Sequence, residues 1–402
     1  MITSFERLLA AIDELEDPAW CEGVARIAGP LTIESDGDTC TNDRGLVPWL
    51  LERSQDAPFG DGKATRLDTA VRATKRLRSR GTTVITGLDV MAIVGDVERA
   101  FASSRTITAS LLDVLVYPSD GKFKRHKDTP RTADQLGTLI VEVPVVHAGG
   151  ALKLSDGRKD RVIDWSGPVR DPKALRWVAL FGDVDHEIAA VTSGARVTLV
   201  YTLTATRVSR TAPALHAVAD AMIALVADAA ALPEGGELLI PCSRLIVAPV
   251  DTAQPLGLDV LRGLDRSLAD ALAGCGVRVG VRECLIATEA DDKAFPELGY
   301  DAVRLARTIP ANLATEIGMT FADEADGEYL EDDDSSVACL GEYVLGPIPE
   351  ESWLVRKSAR ATIIYNGMFS GSGYFGNECG DAYVYAIAAL ELALDPYTQR
   401  IS

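Results

Sequence analysis

Between residues 81 and 203 the chain reads as a run of short apolar segments broken by turns. TTVITGL (82–88) has strand character, 89–104 has helical spacing, and LLDVLVYP (111–118) is β-rich and ends at Pro118-Ser119-Asp120-Gly121. GTLIVEVPVV (137–146) is almost continuously apolar and of strand length, and His147-Ala148-Gly149-Gly150 turns it into ALKLSD. RWVALFGD (176–183), HEIAAV (186–191) and ARVTLVYTL (195–203) follow. Many short strands with few helices between them predict a β-sandwich or barrel.

The flanks read differently. Phe5, Leu8, Leu9, Ile12 and Leu15 recur at helical spacing, and a loop rich in Asp, Thr and Asn is expected near 34–44. Residues 67–80 hold the densest run of Lys and Arg, read as a solvated helix face rather than an anion site. After residue 207 a long Ala-rich helix (211–232) ends at Leu232-Pro233-Glu234-Gly235-Gly236. A strand (ELLIPC), a helix (258–274), a strand (VRVGVRECLI) and a final helix over 382–394 are expected beyond it. The chain of 402 residues therefore divides into an N-terminal helical or irregular segment packed on the core (1–80), a β domain (81–207) and a C-terminal α+β domain (208–402).

Charge and cysteine usage set the surroundings. With 40 Lys+Arg against 59 Asp+Glu, the formal charge of −19 argues against coating nucleic acid. No apolar run is long enough for a membrane span, and the acidic N-terminus is unlike a signal peptide. Seven scattered cysteines without a CxxC pair fit reduced thiols, so a cytoplasmic location is expected. Residues 323–334 hold eight carboxylates in twelve positions, but Ala322 stands where an EF-hand loop needs its first acid, so a solvated acidic loop is expected.

Chemistry gathers around the histidines. His126-Lys127-Asp128 follows a strand and a Gly turn, His186 comes 58 residues later, and Arg196 lies ten beyond that. Two imidazoles and a carboxylate form the facial ligand set of non-haem iron, and residues i and i+2 of an extended chain point to one side. Taking Thr192-Ser193-Gly194 as a hairpin turn, Ala190 faces Arg196 and His186 faces Val200. His186 and Arg196 then share a sheet face about 13 Å apart along the strands. A five-carbon dicarboxylate on iron, met by an Arg fork, spans that gap, with Thr198 on the same face as a further donor.

The pattern Tyr117-x3-Gly121-x4-His126-x-Asp128, Gly149-Gly150 and His186-x9-Arg196 resembles the Fe(II)/2-oxoglutarate-dependent dioxygenases of the prolyl 4-hydroxylase-like branch. It more closely resembles a group of large dioxygenase-domain proteins of fungi and bacteria. That group has an HxDTxR motif (His126 to Arg131), a GTL strand (Gly137-Thr138-Leu139), a segment like Asp183-Val184-Asp185-His186-Glu187-Ile188, and an upstream FGxG (Phe59 to Gly62). Weaker matches continue at 232–236, 261–265 and Gly376-Asn377-Glu378.

The resemblance implies an α+β fold with a double-stranded β-helix (jelly-roll) core, flanking helices and a second α+β C-terminal domain. That second domain would be a degenerate β-helix serving the substrate or a homodimer. Iron would sit on His126, Asp128 and His186, with 2-oxoglutarate on Arg196. Tyr117 and Thr138 (or Val143) would line the co-substrate pocket. O2 would be consumed, succinate and CO2 released, and ascorbate would serve as an accessory reductant. The substrate would be a protein or peptide carrying a prolyl-like side chain, or else a small molecule such as a free amino acid or natural product. Asp128 stands where halogenating relatives have a small residue, so hydroxylation is favoured. Thr202 stands where base demethylases have a second Arg. Two rivals remain: a non-catalytic 2-oxoglutarate or metal sensor, and a cupin-like metal enzyme, which would want an absent HxH pair.

Overall fold

The structure, a computed structural model, describes residues 3–42, 45–61, 64–78, 83–128, 132, 134–157, 159–169, 171–209, 212–244, 257–289, 304–306, 339–340, 343–347, 362–369 and 380–400. It forms two compact units, residues 18–208 and residues 1–17 with 209–402. Gly62, Thr129-Pro130-Arg131, Arg158, Arg170, the acidic run 323–334 and Gly376-Asn377-Glu378 lie outside the described residues.

Helix α1 (Ser4–Asp13) opens the chain with a capping box between Thr3 and Glu6, which satisfies N–H groups that the first turn leaves unpaired. Strand β1 (Trp20–Arg26), the hairpin β2 (Thr32–Ser35) and β3 (Asp38–Thr41), and α2 (Leu46–Arg53) follow. Short strands β4 (Gln55–Asp56), β5 (Phe59–Asp61), β6 (Ala64–Arg66), β7 (Arg72–Ala73), β8 (Lys75–Arg78) and β9 (Val84–Thr86) lead to α3 (Val90–Ala100), capped by the Asp89 carboxylate on Ala92 N–H. The β-rich stretch then runs through β10 (Arg105–Tyr117), β11 (Lys122–His126), β12 (Gln135–Val143), β13 (His147–Gly149) and β14 (Leu152–Ser155). It continues through β15 (Asp160–Ile163), β16 (Ala174–Phe181), β17 (Asp185–Ile188), β18 (Val191–Gly194) and β19 (Arg196–Ser209).

Two sheets dominate residues 18–208. One has the order β1-β16-β12-β19-β10-β8-β4 and the other β15-β14-β17-β11-β7. The pairs β1–β16, β16–β12, β12–β19, β11–β17 and β14–β17 are antiparallel. All nine residues of β12 are buried, which is why this strand reads as a continuous apolar run. Both sheets feed one core, with Val116, Leu139 and Leu199 from the first and Phe123, Leu154 and Ile188 from the second. The protein is thus a mixed α and β molecule built mostly on antiparallel sheets.

In the other unit α1 packs on α4 (His216–Val226), with Leu8 and Ile12 buried on one helix and Val218, Met222 and Leu225 on the other. Strand β20 (Gly236–Pro241), α5 (Gly263–Ala273) and β21 (Arg278–Glu289) follow. Short strands β22 (Arg304–Ala306), β23 (Cys339–Leu340) and β24 (Tyr343–Pro347) precede β25 (Thr362–Phe369) and β26 (Gly380–Leu394).

Five expectations are corrected. Residues 382–394 form strand, not helix: β26 lies between β20 and β21, and cross-strand pairing overrides the helical preference of its alanines. Residues 34–44 are largely the β2–β3 hairpin, turned at Asp36 and Gly37, both of positive φ. The basic segment forms the short strands β7 and β8 rather than a helix. The N-terminal helix joins the C-terminal unit because its apolar stripe finds α4. Finally, residues 186–203 are not one hairpin. β17 pairs with β11 and β14, whereas β19 pairs with β12. The backbone at Ala190 and Val191 is bonded to Gly150, Asp120 and Gly121, and β18 pairs with β13, so the chain crosses between sheets there. His186 and Arg196 therefore lie on different sheets.

Candidate metal and carboxylate site

His126 ends β11 and stands directly opposite His186 of β17 in the strand register. Their ring centroids are 4.1 Å apart. Asp128, two residues past His126, brings a carboxylate oxygen to 3.8 Å from His186 Nε2. The three side chains offer ligand atoms that all lie within 4.8 Å of one another. Nδ1 of His126 is 2.8 Å from the Lys124 carbonyl, and Nδ1 of His186 is 3.1 Å from the Val184 carbonyl. A carbonyl only accepts, so each Nδ1 carries the proton and each Nε2 keeps its lone pair. This is the orientation that backbone partners impose on metal-binding imidazoles.

The electrostatics favour a cation. Burial, and next the neighbouring His186, push His126 down to about 4, which keeps its ring neutral. Burial pushes Asp128 up, but His186, the Thr138 hydroxyl and His126 outweigh it and hold the carboxyl below its usual range. Thr138, on buried β12, donates to Asp128 Oδ2 at 2.5 Å. Thr138, expected to line the co-substrate pocket, has its hydroxyl on the Asp128 carboxylate.

Arg196 opens β19 and is 1% exposed. Its Nε and Nη2 are buried without a hydrogen-bond partner among the described residues. Its guanidinium carbon lies 5.6 Å from the Tyr117 ring centre and 5.3 Å from that of Trp165. Burial pulls this guanidinium below its ordinary value, while Tyr117 and Glu142 push the other way. A buried cation with unbonded N–H groups is costly unless an anion meets it, and a carboxylate accepts two parallel bonds from such a fork. Thr198 is buried on the same face of β19, two residues on. Gly150, at φ +77°, leaves room: a Cβ there would lie 3.1 Å from Arg196 Cδ and 2.9 Å from Val191 Cγ2.

No spacing rule in the sequence links Trp165 to Arg196. Arg176 holds it, donating to the Trp165 carbonyl at 2.6 Å while clamping the Glu142 carboxylate at 2.5 and 2.8 Å. His147 is not among the clustered ligands. It is buried with Nδ1 3.1 Å from the Gly149 carbonyl and Nε2 3.9 Å from Glu142.

No family model matches the chain, and no curated protein does. Solved structures similar to it include an oxidoreductase of the 2OG-Fe(II) oxygenase family from Burkholderia pseudomallei, at 14% identity over 41% of this chain and 81% of that one, with a TM-score of 0.28. A prolyl-4-hydroxylase from Pseudomonas putida is 16% identical over 49% of this chain and 98% of that one, with a TM-score of 0.29. A prolyl hydroxylase from Trichoplax adhaerens, in complex with a hypoxia inducible factor oxygen degradation domain peptide fragment, is 15% identical over 50% and 90%, with a TM-score of 0.29.

Proposed function

We propose that residues 18–208 form an Fe(II)- and 2-oxoglutarate-dependent dioxygenase with a double-stranded β-helix core, which hydroxylates a C–H bond and releases succinate and CO2. One observation carries this reading: the same unit holds a His-Asp-His group with available Nε2 lone pairs and a wholly buried Arg196 with unbonded N–H groups. The first matches a divalent metal with open positions, and the second matches the far carboxylate of a dicarboxylic acid. Bound iron and 2-oxoglutarate would supply the oxidising chemistry with O2. The chain's own residues would do the rest. His126, Asp128 and His186 would hold the metal, and Thr138 would fix the Asp128 carboxylate. Arg196 would orient the dicarboxylate, and the Tyr117 and Trp165 rings would keep water from it.

The proposed substrate is a peptidyl, prolyl-like side chain, with residues 208–402 presenting it or forming a homodimer. A compact substrate is the second reading, favoured by a cleft of about 850 Å³ beside Phe59 and Arg72. With Fe(II), 2-oxoglutarate and O2, the purified protein should release succinate, and His126→Ala or Asp128→Ala should abolish the release. Wild-type turnover in both variants would sink the assignment.

A further inference from the structure

The cleft lined by Phe59, Leu67 and Val71 has its own cation, Arg72. Arg72 lies 4.4 Å over the Phe123 ring, and that ring stacks on His126 with centroids 3.5 Å apart. One aromatic ring thus separates Arg72 from the candidate metal ligands. Phe59, 6.4 Å from Phe123, lines the same cleft together with Val71 and with Leu67, which is 68% exposed. Arg72 is half-buried and fixed in place, donating from Nη1 to the Pro58 carbonyl at 2.7 Å, and its Nε is buried without a hydrogen-bond partner among the described residues. Its charge reaches both His126 and Asp128, favouring the deprotonated form of each.

Asp56 is paired with Lys75 at 2.7 Å, and Asp68 accepts from Ala70 N–H within its own turn at 2.8 Å. Arg66 also lines the cleft. An immobilised guanidinium flanked by apolar side chains recognises a carboxylate borne on an apolar body.

Resting on the dioxygenase reading, we propose that Arg72 is the substrate-anchoring residue and that the substrate is a carboxylate anion. It would seat its charge on Arg72 and its apolar part against Phe59 and Leu67, within reach of the metal site. The carboxylate could come from a free acid or from an acidic peptide, and the −19 of the whole chain did not point to it.

The test uses the full chain and matched probes: N-acetyl amino acids with their primary amides, and hexapeptides carrying Asp or Glu with their Asn or Gln counterparts. Saturation-transfer NMR reads binding to the metal-free protein. Mn(II) and 2-oxoglutarate are then added, and relaxation of the bound probe reads its distance from the metal. Acid members should bind at least tenfold more tightly than amides and be relaxed by Mn(II). Arg72→Gln should lower acid affinity at least tenfold, and Leu67→Asp, an exposed change, should lower it severalfold by repulsion. The arm that binds, free acid or peptide, identifies the source. Equal binding of acids and amides, no binding of either, or acid affinity unchanged in Leu67→Asp overturns the proposal. Acid binding that responds to both variants while Mn(II) fails to bind would instead overturn the dioxygenase reading and leave the carboxylate site standing.

Discussion

Arg196 and His126 each keep an unusual state in the folded chain, and each makes a prediction. Arg196 is a buried charge whose Nε and Nη2 have no hydrogen-bond partner among the described residues, so Arg196→Met should leave the ligand-free protein about 1–4 kcal/mol more stable. In urea melts with Mn(II), 2-oxoglutarate at about a hundred times its Kd should stabilise the wild type by about 2.7 kcal/mol and the variant not at all. A variant that is less stable without ligand, yet still stabilised by 2-oxoglutarate, would contradict this. His126 sits at about 4 in the folded, metal-free protein, against an ordinary value of about 6.5 in the unfolded chain. The unfolded chain therefore binds more protons between these values. This contribution to stability is full above about pH 6.5 and falls as pH drops towards 4. His126→Gln should flatten the slope of the metal-free protein in that window, as followed by denaturant melts at stepped pH. An unchanged slope would mean that the ring is not held neutral by its surroundings.

At the scale of elements, the site depends on how closely β12 and β16 meet. A Cβ on Gly137 would lie 2.0 Å from the Leu180 carbonyl oxygen and 2.9 Å from Phe181 Cα, so only glycine fits. Gly137→Ala should cost at least about 2 kcal/mol through overpacking. It should also loosen the metal site, because Thr138 is the next residue and holds Asp128. Hydrogen exchange across 135–143 and 174–181, with Mn(II) affinity, checks both outcomes. The strands themselves were legible in the chain: buried β12 as an apolar run, β10 and β16 as β-rich segments between turns. The spacing of His126, Asp128 and His186 was also legible, and the structure brings the three together. Sheet membership was not. The turn signal at Thr192-Ser193-Gly194 suggested one hairpin, but the partners of Ala190 and Val191 are Gly150, Asp120 and Gly121, up to about seventy residues away in the chain. Likewise Trp165 reaches Arg196 through the Arg176–Glu142 clamp, a tertiary contact that no local period encodes. In β26 the alanines spoke for helix, and only the flanking strands β20 and β21 decide otherwise.

The whole molecule consists of two units, and every proposed ligand lies in residues 18–208. The first helix belongs to the other unit, where Ser4 Oγ donates to Asp228 at 2.7 Å and Leu8 is fully buried. Leu8→Ala should therefore cost about 2–5 kcal/mol in that unit. It should lower hydrogen-exchange protection in α4 while leaving the strands between 105 and 203 protected. Loss of protection in those strands would show that the first helix supports the candidate site after all. The most direct test of the dioxygenase reading is calorimetric titration of the full chain with Mn(II) and then 2-oxoglutarate, in wild type, Asp128→Ala and Arg196→Met. One Mn(II) should bind per wild-type chain, and 2-oxoglutarate should bind only after it. Asp128→Ala should lose both, and Arg196→Met should keep the metal and lose the dicarboxylate. Mn(II) binding unchanged in Asp128→Ala, or 2-oxoglutarate binding indifferent to metal and to Arg196, would contradict it.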